Sequence, residues 1–361
     1  MAEDTFNYSM FVDCGAPSLY NMLSRKNNVK GVMGATFKDR AKDDFSYTET
    51  EEYAQYKNDY ISFLTANKHK IDTYSNLDVI NNPTLTWRNQ KELEAAGLNP
   101  IPVFHLGTDT KWLKRYVQKY PYIAIGGMIP NTTQALIRIL DPLFKEHLLD
   151  KKGFPLVKLH GFACTSPKLM IRYPWYSVDS TTCRKLSMYG GISFPSTSDY
   201  TKPIVIQLST RDLSLEKKYT PGLLKAIQSY VSQYGFTLQE LGEHGILRMV
   251  LNVFYYIRLI EEYIPEWPWS MLQEKQIKKT VERKLKFCIA GCLSKKKEVL
   301  FWEAMHRNKI KQSNKNRLQS FFYKAEVTYI LSLKKEQLQD ENQQRRTTEA
   351  NGQAEERFIG T

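Results

Sequence analysis

From Phe6 to about residue 210 the chain repeats one unit, a short apolar run followed by a polar connection with helical spacing. The runs that read as strands are "YSMFVD", "IDTYSNLDVI", "NPIPVFHLG", "YIAIGGM", "PLVKLHGFA" and "YPWYSVDST", with "KPIVIQLS" as a further one. Between them, "ETEEYAQYKNDYISFLTANKHK" sets Tyr53, Tyr56, Tyr60, Phe63 and Leu64 at helical steps. "TLTWRNQKELEAAG" predicts a helix capped by Thr86 and stopped by Gly97, and "TDTKWLKRYVQKY" and "TTQALIRILDPLFKEHLL" carry similar patterns. Strand alternating with helix at this spacing implies a parallel sheet, either open and doubly wound or closed as a (β/α) barrel.

What stands at the strand ends decides between the two. Asp13, Asp78, His105, Gly126 with Gly127, His160 with Gly161, and Asp179 each fall at or just past the C-terminal end of a different strand. A closed barrel brings that many consecutive ends round one pocket, whereas an open sheet concentrates its ligand at a switch point. The expected fold is therefore α/β, a TIM-type (β/α) barrel over residues 1–210. Its legible strands fall short of eight, so it is incomplete or irregular, with "KPIVIQLS" available for closure. Beyond Arg211 the pattern turns helical, in "TPGLLKAIQSYVSQYG" and "TLQELGEHGILRMVLNVFYYIRLIEEYI", until Pro265 and Pro268 interrupt it. Residues 211–334 are expected to form a basic helical domain, and 335–361, rich in Gln, Glu and Asn, a disordered tail or frayed helix.

Charge adds a partner class. The formal net charge is +13, and between Lys275 and Arg317 there are 14 Lys/Arg against three acids, so nearly the whole excess sits in one segment. Interleaved with Phe287, Phe301 and Trp302, and followed by Phe321 and Phe322, that segment reads as a nucleic-acid contact surface. Lys278, Lys279, Arg283, Lys284, Lys295, Lys296 and Lys297 are its candidate phosphate contacts. The apolar runs fall short of the ~20 residues of a membrane span, and "MAEDTFNYSM" has no basic region ahead of an apolar stretch; no membrane partner and a cytoplasmic location are expected. Five scattered cysteines argue for reduced thiols rather than a disulfide framework. Cys288 and Cys292 lack a second pair at zinc-finger spacing, so they read as structural and no metal is assigned.

Any one strand-end acid can be a helix cap or a turn residue. Three of them, Asp13, Asp78 and Asp179, on one rim are costly unless they serve a reaction or a metal. Two carboxylates in one pocket suit glycosidic chemistry, one attacking the anomeric carbon and the other handling a proton; a metal-dependent hydrolase is the competing class.

The ordered series "FVDCGAPS", "SNLDVI", "PVFHLG", "YIAIGGM" and "YSVDSTT" resembles the barrel of the tRNA-guanine transglycosylase superfamily. It looks closest to the phage-type members proposed to insert 7-deazaguanines into DNA, the DpdA group. The likeness spans about residues 6 to 185 and implies a guanine-exchanging glycosyltransferase. Residue by residue, it implies Asp179 as nucleophile at C1′ and Asp13 as general acid/base. It also implies Asp78 as reader of the guanine edge, Gly126 and Gly127 as backbone contacts to the base, and His105 where the family commonly has a Gln; His160 joins them as a strand-end candidate for substrate binding. The implied partners are nucleic acid, double-stranded DNA ahead of tRNA, and a 7-deazaguanine, in the cytoplasm of a host cell for a phage-borne gene. No cofactor is expected, since the family's cysteine cluster for zinc is missing. The family's "D-S-G-G-F" stands here as "DCGAP", which changes the wall of the pocket beside Asp13. A non-catalytic nucleic-acid-binding barrel is the alternative from another class. The aromatics of "YPWY" are expected to help exclude water near Asp179.

Overall fold

The computed structural model describes residues 10–26, 45–196, 199–208, 215–265, 286–289 and 322–324. Its centre is a parallel sheet with helical connections. In chain order come β1 (Phe11–Val12), α1 (Ala16–Lys26), α2 (Glu51–Asn67), β2 (Thr73–Tyr74), α3 (Pro83–Ala95), β3 (Val103–His105), α4 (Thr110–Lys119) and β4 (Tyr122–Gly126). Then follow α5 (Thr133–Leu143), β5 (Lys158–Gly161), α6 (Pro167–Arg172), β6 (Ser177–Ser180) and α7 (Thr182–Met188). A hairpin of β7 (Gly191–Phe194) and β8 (Ile204–Gln207) leads into α8 (Leu215–Lys218), α9 (Pro221–Gln233), α10 (Leu238–Glu243) and α11 (Gly245–Tyr263). The last two strands are β9 (Lys286–Ile289) and β10 (Phe322–Lys324).

Local chemistry sets the helix starts. Thr50, Asn82, Asp109, Thr132 and Thr220 each accept a backbone N–H of the first helical turn, and Thr237 and Glu240 form a reciprocal capping box. Helix α3 begins four residues before the expected Thr86 cap, because Asn82 caps it and Pro83 occupies its first position. Thr86 is buried instead, its hydroxyl bonding both the N–H and the C=O of Val79. Gly97, at φ +76°, ends the helix as its spacing predicts. Helix α5 carries Pro142 near its end and runs into a π-helical turn, Phe144–Leu148.

Strands β3 to β6 pair in chain order, all parallel, in the register Val103 with Ala124, Ala124 with His160, and His160 with Ser177. A parallel bridge between Ser75 and Ile101 ties the β1–β2 pair to the approach to β3. Two corrections follow. "KPIVIQLS" does not join this sheet: β8 pairs antiparallel with β7 in a sheet of its own, with Ile204 and Val205 exposed. And strands stand where only helix was expected: β9 pairs in parallel with β6, β10 with β9, and β10 comes within 8 Å of β1 between Cα atoms. The 335–361 tail and Lys278, Lys279, Arg283, Lys284, Lys295, Lys296 and Lys297 lie outside the described residues.

The period of two along the strands separates two environments. Phe104, Ile123, Ile125, Leu159 and Val178 point into the main apolar core, packed by the helices. Alternate residues Phe11, Val103 and Ala124 form a small separate cluster on the other face, bordered by Tyr122 and Phe162. Asp13, His105, Gly126, His160 and Asp179 share the parity of that second face, two residues on from, or beside, its apolar members. No helix among the described residues is long and apolar enough to cross a membrane.

Candidate active site

Asp13 follows β1 directly, and Gly15, at φ +70°, turns the chain into α1. Its carboxylate lies against the backbone N–H groups of Cys14 and Gly15 and accepts a long hydrogen bond from Ser75 Oγ at 3.4 Å. Burial outweighs the N–H groups: with the charges of Asp179 and Asp78 adding to it, it raises the Asp13 pKa from 3.8 to about 7. The three sequence-chosen acids are thus near enough to one another for the charges of Asp179 and Asp78 to act on Asp13.

Asp78, four residues past β2, is held by two protein donors. Cys14 Sγ lies 3.0 Å from Oδ1 and His105 Nε2 lies 2.8 Å from Oδ2. His105, the last residue of β3, lies across Gly126: a Cβ built there would meet His105 Cδ2 at 3.1 Å, so the glycine makes room for the imidazole. Gly127 beside it has φ +80°, which favours glycine. The structure therefore couples Asp78 and His105 to each other. Cys14 is the member of this group that the sequence reading missed; only its place next to Asp13 hinted at it. Burial and the two flanking carboxylates push its thiol pKa well above the ordinary value, so it acts here as an S–H donor rather than a nucleophile.

Asp179 sits within β6, and its Oδ1 accepts the N–H of Ala163 at 2.8 Å. Ala163 is one of two described non-glycine residues at positive φ, 56°, so the turn after β5 is bent to aim that N–H at the carboxylate. His160 Nε2 stands 3.6 Å from the same oxygen. The "YPWY" aromatics depart from expectation. Tyr173 and Trp175 pack with Phe144 in the main core behind the strand, and Tyr176 lies edge-on to Tyr122 at 5.2 Å. Tyr173 and Trp175 brace β5 and β6 from behind instead of lining the acid's side, while Tyr176 packs on Tyr122 at the start of β4.

The strand ends thus bring together all the sheet-borne candidates: Asp13, Asp78, His105, Gly126, Gly127, His160 and Asp179. Two carboxylates differ sharply in setting. Asp13 is pushed toward neutrality, while Asp179 is anchored by a backbone donor and partly open to solvent, 17 % exposed. Asp13 can exchange protons near pH 7, while the Asp179 carboxylate is held in place at the strand ends. No group of three or more His, Cys, Asp or Glu among the described residues is arranged to hold a metal ion. No protein-family model, no curated protein and no solved structure matches the chain.

Proposed function

We propose that this chain is a base-exchange glycosyltransferase that replaces guanine in a nucleic acid, DNA in the first instance, with a 7-deazaguanine. The observation that carries the reading is the pair of unlike carboxylates on one strand-end face: Asp13 with its pKa raised to about 7, and Asp179 fixed by the Ala163 N–H. The strand order supports it. Strands β1 to β6, then β9 and β10, form a parallel series whose last member approaches its first, the arrangement of a closing (β/α) barrel with its site at the C-terminal strand ends.

In this mechanism Asp179 attacks C1′ of the nucleotide, and guanine leaves as Asp13 delivers a proton to it. The incoming 7-deazaguanine gives its N9 proton to the now ionised Asp13 and attacks C1′ from the vacated side, releasing Asp179. Two inversions retain the configuration. A group with a pKa near 7 suits both proton transfers, since it is half ionised at working pH. A paired guanine must first be flipped out of the duplex, at a cost of a few kcal/mol. The choice of DNA and of a deazaguanine rests on the sequence resemblance.

The test is incorporation of labelled 7-deazaguanine into DNA and tRNA by the purified chain and by Asp179→Ala, alongside nucleoside analysis of both nucleic acids from expressing cells. Incorporation that vanishes in the variant while the fold persists supports the reading. Label in tRNA alone would redirect the substrate, and unchanged incorporation by the variant would overturn the mechanism.

A further inference from the structure

His160 is fully buried, yet its Nε2 has no hydrogen-bond partner. Everything else about the ring is fixed. It stacks on Phe11 at 4.4 Å between centroids, meets the edge of Phe162 at 4.6 Å, and bonds Ser177 Oγ through Nδ1 at 2.6 Å. Ser177 Oγ is in turn bonded to the Tyr122 hydroxyl. An orphaned buried nitrogen on a ring so firmly held, 3.6 Å from the Asp179 carboxylate, calls for an explanation in terms of that carboxylate.

The hydrogen bonds can run in two directions. With Nδ1 protonated, Nε2 would turn a lone pair toward a carboxylate oxygen, lone pair against lone pair. In the other direction Tyr122 donates to Ser177, Ser177 donates to Nδ1, and Nε2–H points at Asp179 Oδ1. Every donor then leads toward the carboxylate. The 3.6 Å separation exceeds a hydrogen bond by some tenths of an ångström, a gap that a small turn of the carboxylate closes.

We propose that His160, with its Nε2–H set by Ser177 and Tyr122, is a positioning residue that donates to Asp179 as that carboxylate leaves the sugar. The inference rests on the base-exchange reading. In the glycosyl intermediate one Asp179 oxygen is bonded to C1′ and the other is an ester carbonyl. When N9 of the incoming base attacks C1′, the C1′–O bond breaks and its electron pair returns to Asp179. The proton lost by the incoming base rests on Asp13. A donor aimed at Asp179 favours the released carboxylate over the ester, because hydrogen bonds to charged acceptors are the stronger ones. His160 therefore speeds release of the nucleic acid from the covalent adduct.

The test compares wild type, His160→Phe and His160→Gln, the last of which keeps an N–H at the end of a side chain of similar reach. Adduct with guanine-containing DNA or tRNA is measured on denaturing gels before and after 7-deazaguanine is added, with circular dichroism as the check of fold. In His160→Phe the adduct should form and its release should slow by about tenfold or more, so that adduct accumulates, and His160→Gln should restore most of the rate. Equal loss in formation and release with no rescue by Gln, or no change at all, overturns the inference. A second measurement needs no turnover: 15N spectra of histidine-labelled protein should show His160 as the Nε2–H tautomer, with its Nε2 resonance moving in Asp179→Ala. The Nδ1–H tautomer, or an Nε2 indifferent to Asp179, overturns it as well. A wild-type chain that forms no adduct on either nucleic acid sinks base exchange itself, an outcome distinct from the wrong tautomer.

Discussion

At the scale of single residues, Asp13 ties stability to chemistry. An acid whose folded pKa is about 7 against an ordinary 3.8 holds its proton more tightly in the folded chain. Its contribution is therefore most favourable below about pH 4 and is lost as pH climbs toward about 7. Asp13→Asn should remove that loss: relative to wild type it should gain on the order of 1–3 kcal/mol between pH 5 and pH 8 by denaturant titration, while exchange is abolished. Wild-type adduct formation, which needs Asp13 protonated, should fall as pH rises past about 7, as single-turnover rates across pH would show. Gly126→Ala offers a separate check on the His105–Asp78 pair. Its methyl would press on His105 at 3.1 Å, so the imidazole must shift off Asp78. Weaker base binding, seen as a raised KM for the deazaguanine with a stability cost of about 1–3 kcal/mol, is expected. The sequence marks Asp13, Asp78, His105 and Asp179 because an acid or imidazole closing an apolar run stands out. It does not show that Asp78 is bonded to both Cys14 and His105, since those contacts join segments 64 and 27 residues away and depend on strand register.

Among the secondary elements, periodicity found the helices and the first six parallel strands, because each strand's apolar parity faces a packed core. It misplaced "KPIVIQLS", whose Ile204 and Val205 are exposed on a hairpin, since an apolar run alone does not say which neighbour it pairs with. It passed over β9, whose four residues are set in a lysine-rich segment and become a strand by pairing with β6. The hairpin is tied to α11 at its turn, where Tyr255 donates to the Tyr200 carbonyl at 2.6 Å, and at β7 by one amide side chain. Asn252, fully buried, accepts from the Ser193 N–H at 2.6 Å and bonds Ser187 Oγ and the Gly191 carbonyl. Asn252→Leu keeps the volume and strands those partners without water. A loss of about 2–4 kcal/mol in chemical denaturation is expected, with the strand-end site intact.

For the whole molecule, the sheet draws on both ends of the chain: β6 is covered by β9, and β10 lies near β1. A chain ending at Pro265 would leave the backbone groups of β6 unpaired along an open edge. Such a truncation should purify as soluble aggregate, or melt without a cooperative transition, by size-exclusion chromatography and thermal scanning. The same connectivity sets a schedule during synthesis. Asp179 and its neighbours emerge from the ribosome about a hundred residues before Lys286, so at ~5–20 residues per second the edge of β6 waits roughly 5–20 s for its partner. During that interval the ribosome delivers the β7–β8 hairpin and the helices through α11, which in the folded chain pack against the same core. The excursion that interrupts the sheet in sequence thus prolongs the exposure of its unfinished edge, and slowing translation near residue 265 should lower the yield of folded protein.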